Sequence, residues 1–361
     1  MTSSPSLSPP PPSASFQLSE RALAFRAAEL FLRDERTAPA VAETLKKEFP
    51  ASAARLTRET VYPLLAKARG LGFLRLVPPL EEKLAREVEN KFGCPKGCVR
   101  VVDCPSPQSN DSVSASAADW AVELIKELHG AVGTTIGVGL GPGRATLDFS
   151  RAFSQRLRED PSLPKLKLVA ISAAGPARYP EYSSISYFNL FPPTSVDQRI
   201  GFFAETLVRS QLIKEIKSRP GCREAVEEVK NIHLVVTSMG DMEDEHALLN
   251  VWYKECGDAA KPSWWAEAVG DIQYRPYGAD RFITDKPNDL RAVTLFELSD
   301  MVTLAGAKNR HVILIARQCG LCEPRRTKAI PLRPILKNPA MRVFSRLVLD
   351  SPTAYELLQG A

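Results

Sequence analysis

The chain has 361 residues, 44% of them hydrophobic and 25% charged, with a net charge of +5. That length allows one small and one larger domain, each with its own core. The charge is too weak overall to point to nucleic acid unless it is concentrated in one domain. No uninterrupted apolar run of about eighteen residues occurs, so no membrane span and no membrane partner are expected.

Residues 1–18 are rich in Ser and Pro without a basic start or an apolar stretch, which reads as a disordered tail and not as a signal peptide. Ser19 can then cap a helix carrying Ala24, Ala27, Ala28 and Phe31 at helical spacing. After a polar break at 33–37, a second short helix passes through Val41, Ala42 and Leu45, and 50–56 reads as a turn of small residues. A third helix from Thr57 or Thr60 to Arg69 sets Val61, Leu64, Leu65 and Ala68 on one face. Gly70 and Gly72 stop it, and 73–77 reads as a short strand. Three short helices closed by a strand match a winged helix-turn-helix over 19–78, whose third helix would enter the major groove. There Arg55, Arg58, Lys67 and Arg69 can meet phosphates, and Thr57, Glu59, Thr60 and Tyr62 can reach base edges or backbone. A solvated helix face fits the same spacing equally well. The connection before the third helix is longer than the tight turn of the motif, and Pro63 requires a start near Thr60 or a kink.

Pro78 and Pro79 mark a boundary, and Leu80, Leu84 and Val88 then form one apolar stripe. Glu82/Arg86 and Glu87/Lys91 are i,i+4 pairs, so 79–93 reads as a linker helix able to pack on a second subunit. From Val99 the pattern turns to α/β. Strands are expected at 99–102, 134–138, 166–172, 232–237, 301–304 and 347–349, and helices at 117–129, 146–158, 195–217 and 223–230. Strands alternating with helices argue for a doubly wound, mostly parallel sheet across 94–361.

Seven cysteines read as reduced thiols of a cytoplasmic protein. Cys94, Cys98 and Cys104, and separately Cys319 and Cys322, are spaced as metal ligands can be. Neither group supplies two ligand pairs, however, and none of the four histidines sits beside them in sequence. Ordinary thiols, with no metal and no cofactor, are therefore expected.

The most informative segment runs from Thr135 through Gly137, Gly139, Gly141 and Gly143 to Arg144 and Thr146, a strand entering a glycine-rich turn that opens a helix. Glycines let backbone approach a ligand, and free amides at a helix start attract an anion. Arg144 and Thr146 would add a cation and a hydroxyl, although a tight turn needed only for packing has the same glycines. The segment is neither a Walker loop nor a dinucleotide fingerprint. Polar loops also follow other strands at 172–175, 238–241, 270–271 and 305–310, and in a doubly wound sheet ligands gather beyond the carboxyl ends of the strands.

The order of segments resembles the SorC-type sugar-binding transcriptional regulators over nearly the whole chain after the tail. The resemblance rests on the third helix with Thr57, Arg58 and Glu59, the linker helix ending at Lys91, Phe92 and Gly93, and the glycine loop before Arg144. It continues with Ala268-Val269-Gly270-Asp271-Ile272 followed by Arg275, with Ala305-Gly306 before basic residues, and with the late Leu349-Asp350-Ser351-Pro352. The resemblance implies an effector domain of the sugar-phosphate isomerase/CoA-transferase-like type, related to ribose-phosphate isomerases and glucosamine-phosphate deaminases. It also implies a phosphorylated sugar as ligand, a double-stranded DNA operator, and a homodimer or homotetramer in the cytoplasm. Carried over by position, Gly139, Gly141, Gly143, Arg144 and Thr146 would hold phosphate, with Gly175 in the next strand-end loop. Asp271 with Lys308 or Arg310 would meet sugar or phosphate, and Gly240 with Asp241 forms another ligand loop. The glycine loop is about two residues longer here, a Pro-, Arg- and Lys-rich insertion occupies 322–339, and 311–317 reads as a strand where the family has a helix.

A regulator, not an enzyme, is the expected function. A sugar-phosphate isomerase, deaminase or lactonase would need an acid–base set, for which Asp241, Asp271 and His246 are the available groups. A metabolite-binding protein whose head docks another protein is the third reading.

Overall fold

A computed structural model describes residues 19–74, 77, 79–104, 110–133, 135–173, 175, 177–257, 261–322 and 325–360. The chain divides into two compact units, Met1–Leu76 and Val77–Ala361.

In the first unit, α1 (Glu20–Ala28) begins where the Ser19 side chain accepts from the Ala22 amide, and it runs on into a π-helical turn at Glu29–Arg33. Then follow α2 (Ala38–Glu48), α3 (Pro50–Ala53) and α4 (Arg58–Gly70). The core joins Leu23, Ala27 and Leu30 to Val41, Leu45, Val61 and Leu64, residues that recur at helical spacing because one stripe of each helix is buried. The expected turn at 50–56 holds α3: Pro50 pre-sets φ at a helix start, and Ala53 is buried. α4 begins at Arg58 and passes through Pro63, whose missing N–H lies on the exposed side. The expected strand at 73–77 lies in part outside the described residues. Phe73 and Leu74 form a bend, with the Phe73 amide donating to the Ala68 carbonyl, so the residues that end α4 are not free to pair as strand.

The second unit opens with α5 (Glu82–Phe92), ended by Gly93 at φ 58°, a left-handed stop that glycine adopts without cost. Of the expected stripe, Leu84 and Val88 are buried with Phe92 in this unit's own core, where α5 packs on β1 (Val99–Val102) and later on the last helix, whereas Leu80 is exposed. Most of the stripe expected to meet a second subunit is therefore already covered, with Leu80 left open. Glu82 and Arg86 pair at 3.4 Å, whereas Lys91 donates to the Leu358 and Gly360 carbonyls in place of the expected Glu87.

Next come α6 (Asn110–Val132), β2 (Ile136–Leu140), α7 (Arg144–Glu159) and β3 (Leu166–Ala170). They are followed by β4 (Val196–Ile200), β5 (Leu207–Arg209), α8 (Ile213–Ser218), α9 (Arg223–Glu228), β6 (Ile232–Asp241) and α10 (Leu248–Cys256). The remainder is β7 (Gly270–Ile272), β8 (Arg275–Tyr277), β9 (Leu290–Ala292), α11 (Leu298–Gly306), β10 (His311–Ala316), α12 (Ala329–Lys337), β11 (Arg346–Asp350) and α13 (Ser351–Gln359).

The main sheet runs β1-β11-β10-β6-β2-β3-β4 with every pairing parallel, and β7 and β8 extend it antiparallel from the far end of β6. Successive residues of β2, β10 and β11 are buried, as a parallel sheet covered on both faces requires. The fold is thus mixed α/β with a largely parallel central sheet.

Two sequence expectations fail here. Residues 195–217 do not form one helix: β4 pairs with β3 at the sheet edge, exposing Asp197, Gln198 and Arg199, and a polar edge strand carries no apolar alternation to betray it. Residues 301–304 are helical, because the Glu297 amide donates to Asp300 and Leu298, Met301 and Leu304 fall on one buried face of α11. The strand read at 311–317 is β10.

Candidate ligand pocket and recognition helix

A cavity of about 320 Å³ lies beyond the carboxyl ends of the adjacent strands β2, β6 and β10, the place where doubly wound sheets gather ligands. Its walls include Pro142, Gly143 and Arg144 after β2, residues 238–240, 244 and 246–248 around the end of β6, Asp271, Gln273 and Tyr274 of the β7–β8 hairpin, and 317–321 after β10.

The β2–α7 turn is built by close approach. A Cβ on Gly141 would collide with Thr237 Oγ1, and one on Gly143 would lie 2.7 Å from Ser238 Oγ. Gly143 also adopts φ 117°, which only glycine takes readily. No side chain caps α7 and its first turn carries no acid, so its positive end faces the cavity. The Arg144 guanidinium lies 5.0 Å from the Tyr182 ring and donates to the His246 carbonyl at 2.8 Å, while its Nε is buried with no partner among the described residues. Arg144 makes no ion pair among the described residues. The cavity's other cations are engaged: Arg317 with Asp148, and Lys328 with Asp244 at 3.1 Å.

The hairpin supplies the opposite wall. Ile272 pairs with Arg275, leaving a two-residue turn in which Gln273 and Tyr274 take φ 55° and 62°. Such turns favour Asn-Gly, and two larger side chains held left-handed are strained. Both present polar atoms without partners among the described residues, Gln273 Oε1 and Tyr274 Oη. Asp271 is buried beside them and accepts from the Tyr274 amide at 3.1 Å. Burial pushes its carboxyl up to about 7, with repulsion from Asp241 and Asp244 adding to the effect and the Tyr274 amide and Lys328 opposing it. Asp244 goes the other way: burial would raise it, but Lys328 and its hydrogen-bond donors bring it down to about 2.

Of the residues expected to bind a ligand, Gly143, Arg144, Gly240 and Asp271 line this cavity. Gly240 is there because a side chain would collide with Asp271 Oδ1. Gly175 borders it, its Cβ position lying 3.5 Å from Tyr274 Oη. Gly139 and Gly141 serve packing, against Ile171 and Thr237. Thr146 is fully buried with its hydroxyl turned to the Pro142 carbonyl, and Asp241 is buried against Arg326. Lys308 and Arg310 precede β10 and so stand at the amino ends of the parallel strands, away from the cavity; Arg310 donates to the Lys230 carbonyl. Tyr182, Gln273, Tyr274 and Lys328 line the cavity without having been read from the sequence.

On α4 and the turn before it, Arg55, Arg58, Tyr62 and Arg69 are exposed. Thr57, Glu59 and Thr60 are occupied by the helix start: the Thr57 amide donates to Thr60 Oγ1 at 2.7 Å, and Glu59 is held below the usual carboxylate range by its own amide and the Thr57 hydroxyl. Lys67 is half-buried and paired with Glu20, and the Tyr62 ring packs edge-on against Phe31.

No protein-family model matches the chain, and no curated protein matches it significantly. Among solved structures it is similar to the full-length sorbitol operon regulator SorC from Klebsiella pneumoniae, with TM-score 0.55 and 16% identity over 95% of this chain and 100% of that one. A DeoR family transcriptional regulator from Listeria monocytogenes matches with TM-score 0.53 and 16% identity over 76% of this chain and 98% of that one. The sugar-binding domain of a transcriptional repressor from Vibrio fischeri matches with TM-score 0.53 and 14% identity, covering 77% and 98%. The chain therefore shares the fold of SorC- and DeoR-type sugar-binding transcriptional regulators.

Proposed function

We propose that this protein is a DNA-binding transcriptional regulator whose larger unit binds a phosphorylated sugar or a related anionic metabolite. The observation that carries the reading is Arg144, a cation without a carboxylate partner among the described residues, standing at the uncapped start of α7 in the cavity. Phosphate bound there would take the Arg144 edge and the first amides of α7. Gln273, Tyr274 and Asp271, protonated below about pH 7, would meet the hydroxyls of the sugar.

The fold shared with sugar-binding regulators supports the same ligand class. In this reading 19–78 is a winged helix-turn-helix that offers Arg55, Arg58 and Arg69 to DNA phosphates, with Tyr62 beside the base edges. Residues 79–93 connect it to the sensing domain, 94–361. The working form is a cytoplasmic homodimer or homotetramer, whose ligand shifts the spacing of two heads on an operator. Among the described residues no helix is long and apolar enough to cross a membrane.

The test is thermal unfolding with a panel of phosphorylated and unphosphorylated sugars. A ligand at a hundred times its dissociation constant stabilises the native state by about 2.7 kcal/mol and raises Tm. Arg144→Met should abolish the response to phosphorylated compounds. A panel that leaves Tm unmoved, or a response that survives Arg144→Met, overturns the reading.

A further inference from the structure

We propose that Asp244, His246, Cys319 and Cys322 form a structural zinc site at the rim of the cavity. One ligand atom from each lies within 4.8 Å of the others. Cys322 Sγ is 3.1 Å from Asp244 Oδ1 and 3.5 Å from His246 Nδ1, and that nitrogen is 3.6 Å from Asp244 Oδ1. Ligand atoms at ordinary zinc bond lengths of about 2.0–2.3 Å form a tetrahedron with edges of roughly 3.3–3.8 Å. The 3.5 and 3.6 Å separations match those edges, the 3.1 Å one is slightly shorter, and closing the cluster around an ion needs only small side-chain adjustments within its 4.8 Å span. Two sulfurs, one imidazole nitrogen and one carboxylate oxygen are a donor set that suits zinc.

The surroundings suit a four-coordinate, closed site. Asp244 and both cysteines are buried. The two carboxylate oxygens of Asp244 have different partners, since Oδ1 faces the cluster and accepts from the His246 amide, while Oδ2 is held by Lys328. A partner on the outer oxygen fixes the coordinating one in place. The Cys319 amide donates to the Arg326 carbonyl, which holds this end of the cluster, and the second thiol follows three residues later in sequence. Lys328 and Arg326, which support the site, both come from the Pro-, Arg- and Lys-rich stretch 322–339.

Metal binding deprotonates both thiols and releases their two protons to the buffer. The bound ion would tie the loop after β10 to the loop after β6. It would thereby fix the His246 carbonyl on which Arg144 rests. The site stands whether or not the cavity binds a sugar phosphate.

The test uses the full chain, produced with added zinc and purified under reducing conditions without chelator. Elemental analysis is expected to find close to one zinc per chain in the wild type and in Cys256→Ser, and close to none in Cys319→Ser/Cys322→Ser. Because a double cysteine variant can misfold, the reduced apo protein is also titrated with Co²⁺. Wild type should develop thiolate-to-cobalt charge transfer and the intense visible bands of a tetrahedral ion, and His246→Ala should lose the tetrahedral bands. Equal zinc in wild type and the double variant overturns the proposal. So does a Cys319–Cys322 disulfide in the purified protein that, once reduced, takes up no cobalt.

Discussion

Replacing Asp271 by Asn tests the electrostatics of the cavity directly. Asn keeps the shape and an oxygen that can accept from the Tyr274 amide, but it removes the ionisation. The native carboxyl holds its proton up to about pH 7, whereas the unfolded chain releases it near pH 4. Between those values the unfolded state binds fewer protons, so this group's contribution is fully present below about pH 4 and is lost as pH rises through about 7. A displacement from 3.8 to about 7 corresponds to about 4 kcal/mol, an upper bound for a site that can relax or admit water. The stability of Asp271→Asn relative to wild type should therefore rise by up to about 4 kcal/mol between roughly pH 4 and pH 8, mostly below pH 7. Urea unfolding of both proteins across that range measures it, because titrations common to the two cancel in the difference. A difference that stays flat with pH would mean that Asp271 is ionised in the folded protein, and the reasoning about its burial would be refuted.

Gly143→Ala should cost about 1–3 kcal/mol in chemical denaturation, since alanine must either adopt φ 117° or move Ser238; a neutral substitution would show that the turn relaxes freely. Phe153→Ala should cost about 3–5 kcal/mol, because the ring is fully buried between Phe149 at 5.2 Å and Phe191 at 5.9 Å; a loss below about 1 kcal/mol would contradict that packing. Arg58→Ala with Arg69→Ala should weaken binding to genomic duplex fragments. It should also flatten the dependence of log affinity on log salt by about 1.8, two phosphate contacts at about 0.9 each. An unchanged slope would remove these side chains from any DNA interface.

The architecture of the second unit was legible where the physics is local. Apolar runs of β-branched residues separated by amphipathic stretches gave the parallel sheet, and the glycines before Arg144 marked the strand-to-helix turn. What failed was misread for equally local reasons. The polar edge strand β4 has no buried alternation, and α11 shows a short apolar run that a strand would share. The glycines themselves were readable as necessary but not as to purpose: Gly143 and Gly240 make room at the cavity, whereas Gly139 and Gly141 make room for Ile171 and Thr237. Nothing in the dipeptide Gln273-Tyr274 announces a tight turn, because its left-handed conformation is imposed by the pairing of Ile272 with Arg275.

Strand order is the missing quantity that turns scattered residues into a site. β2 lies beside β6, and β6 beside β10, all parallel, with Leu140 opposite Val236 and Ile315 opposite Ser238. Chains leaving three adjacent parallel strands at the same end must begin their loops about 5 Å apart, whatever their separation in sequence. Arg144 leaves β2, Asp244 and His246 leave β6, and Cys319 and Cys322 leave β10, so the Arg144 guanidinium and the four ligands of the proposed metal site share one rim. Lys308 and Arg310 fail by the same rule: they enter β10 where the cysteines leave it, and no change of side-chain rotamer carries them across the length of a strand.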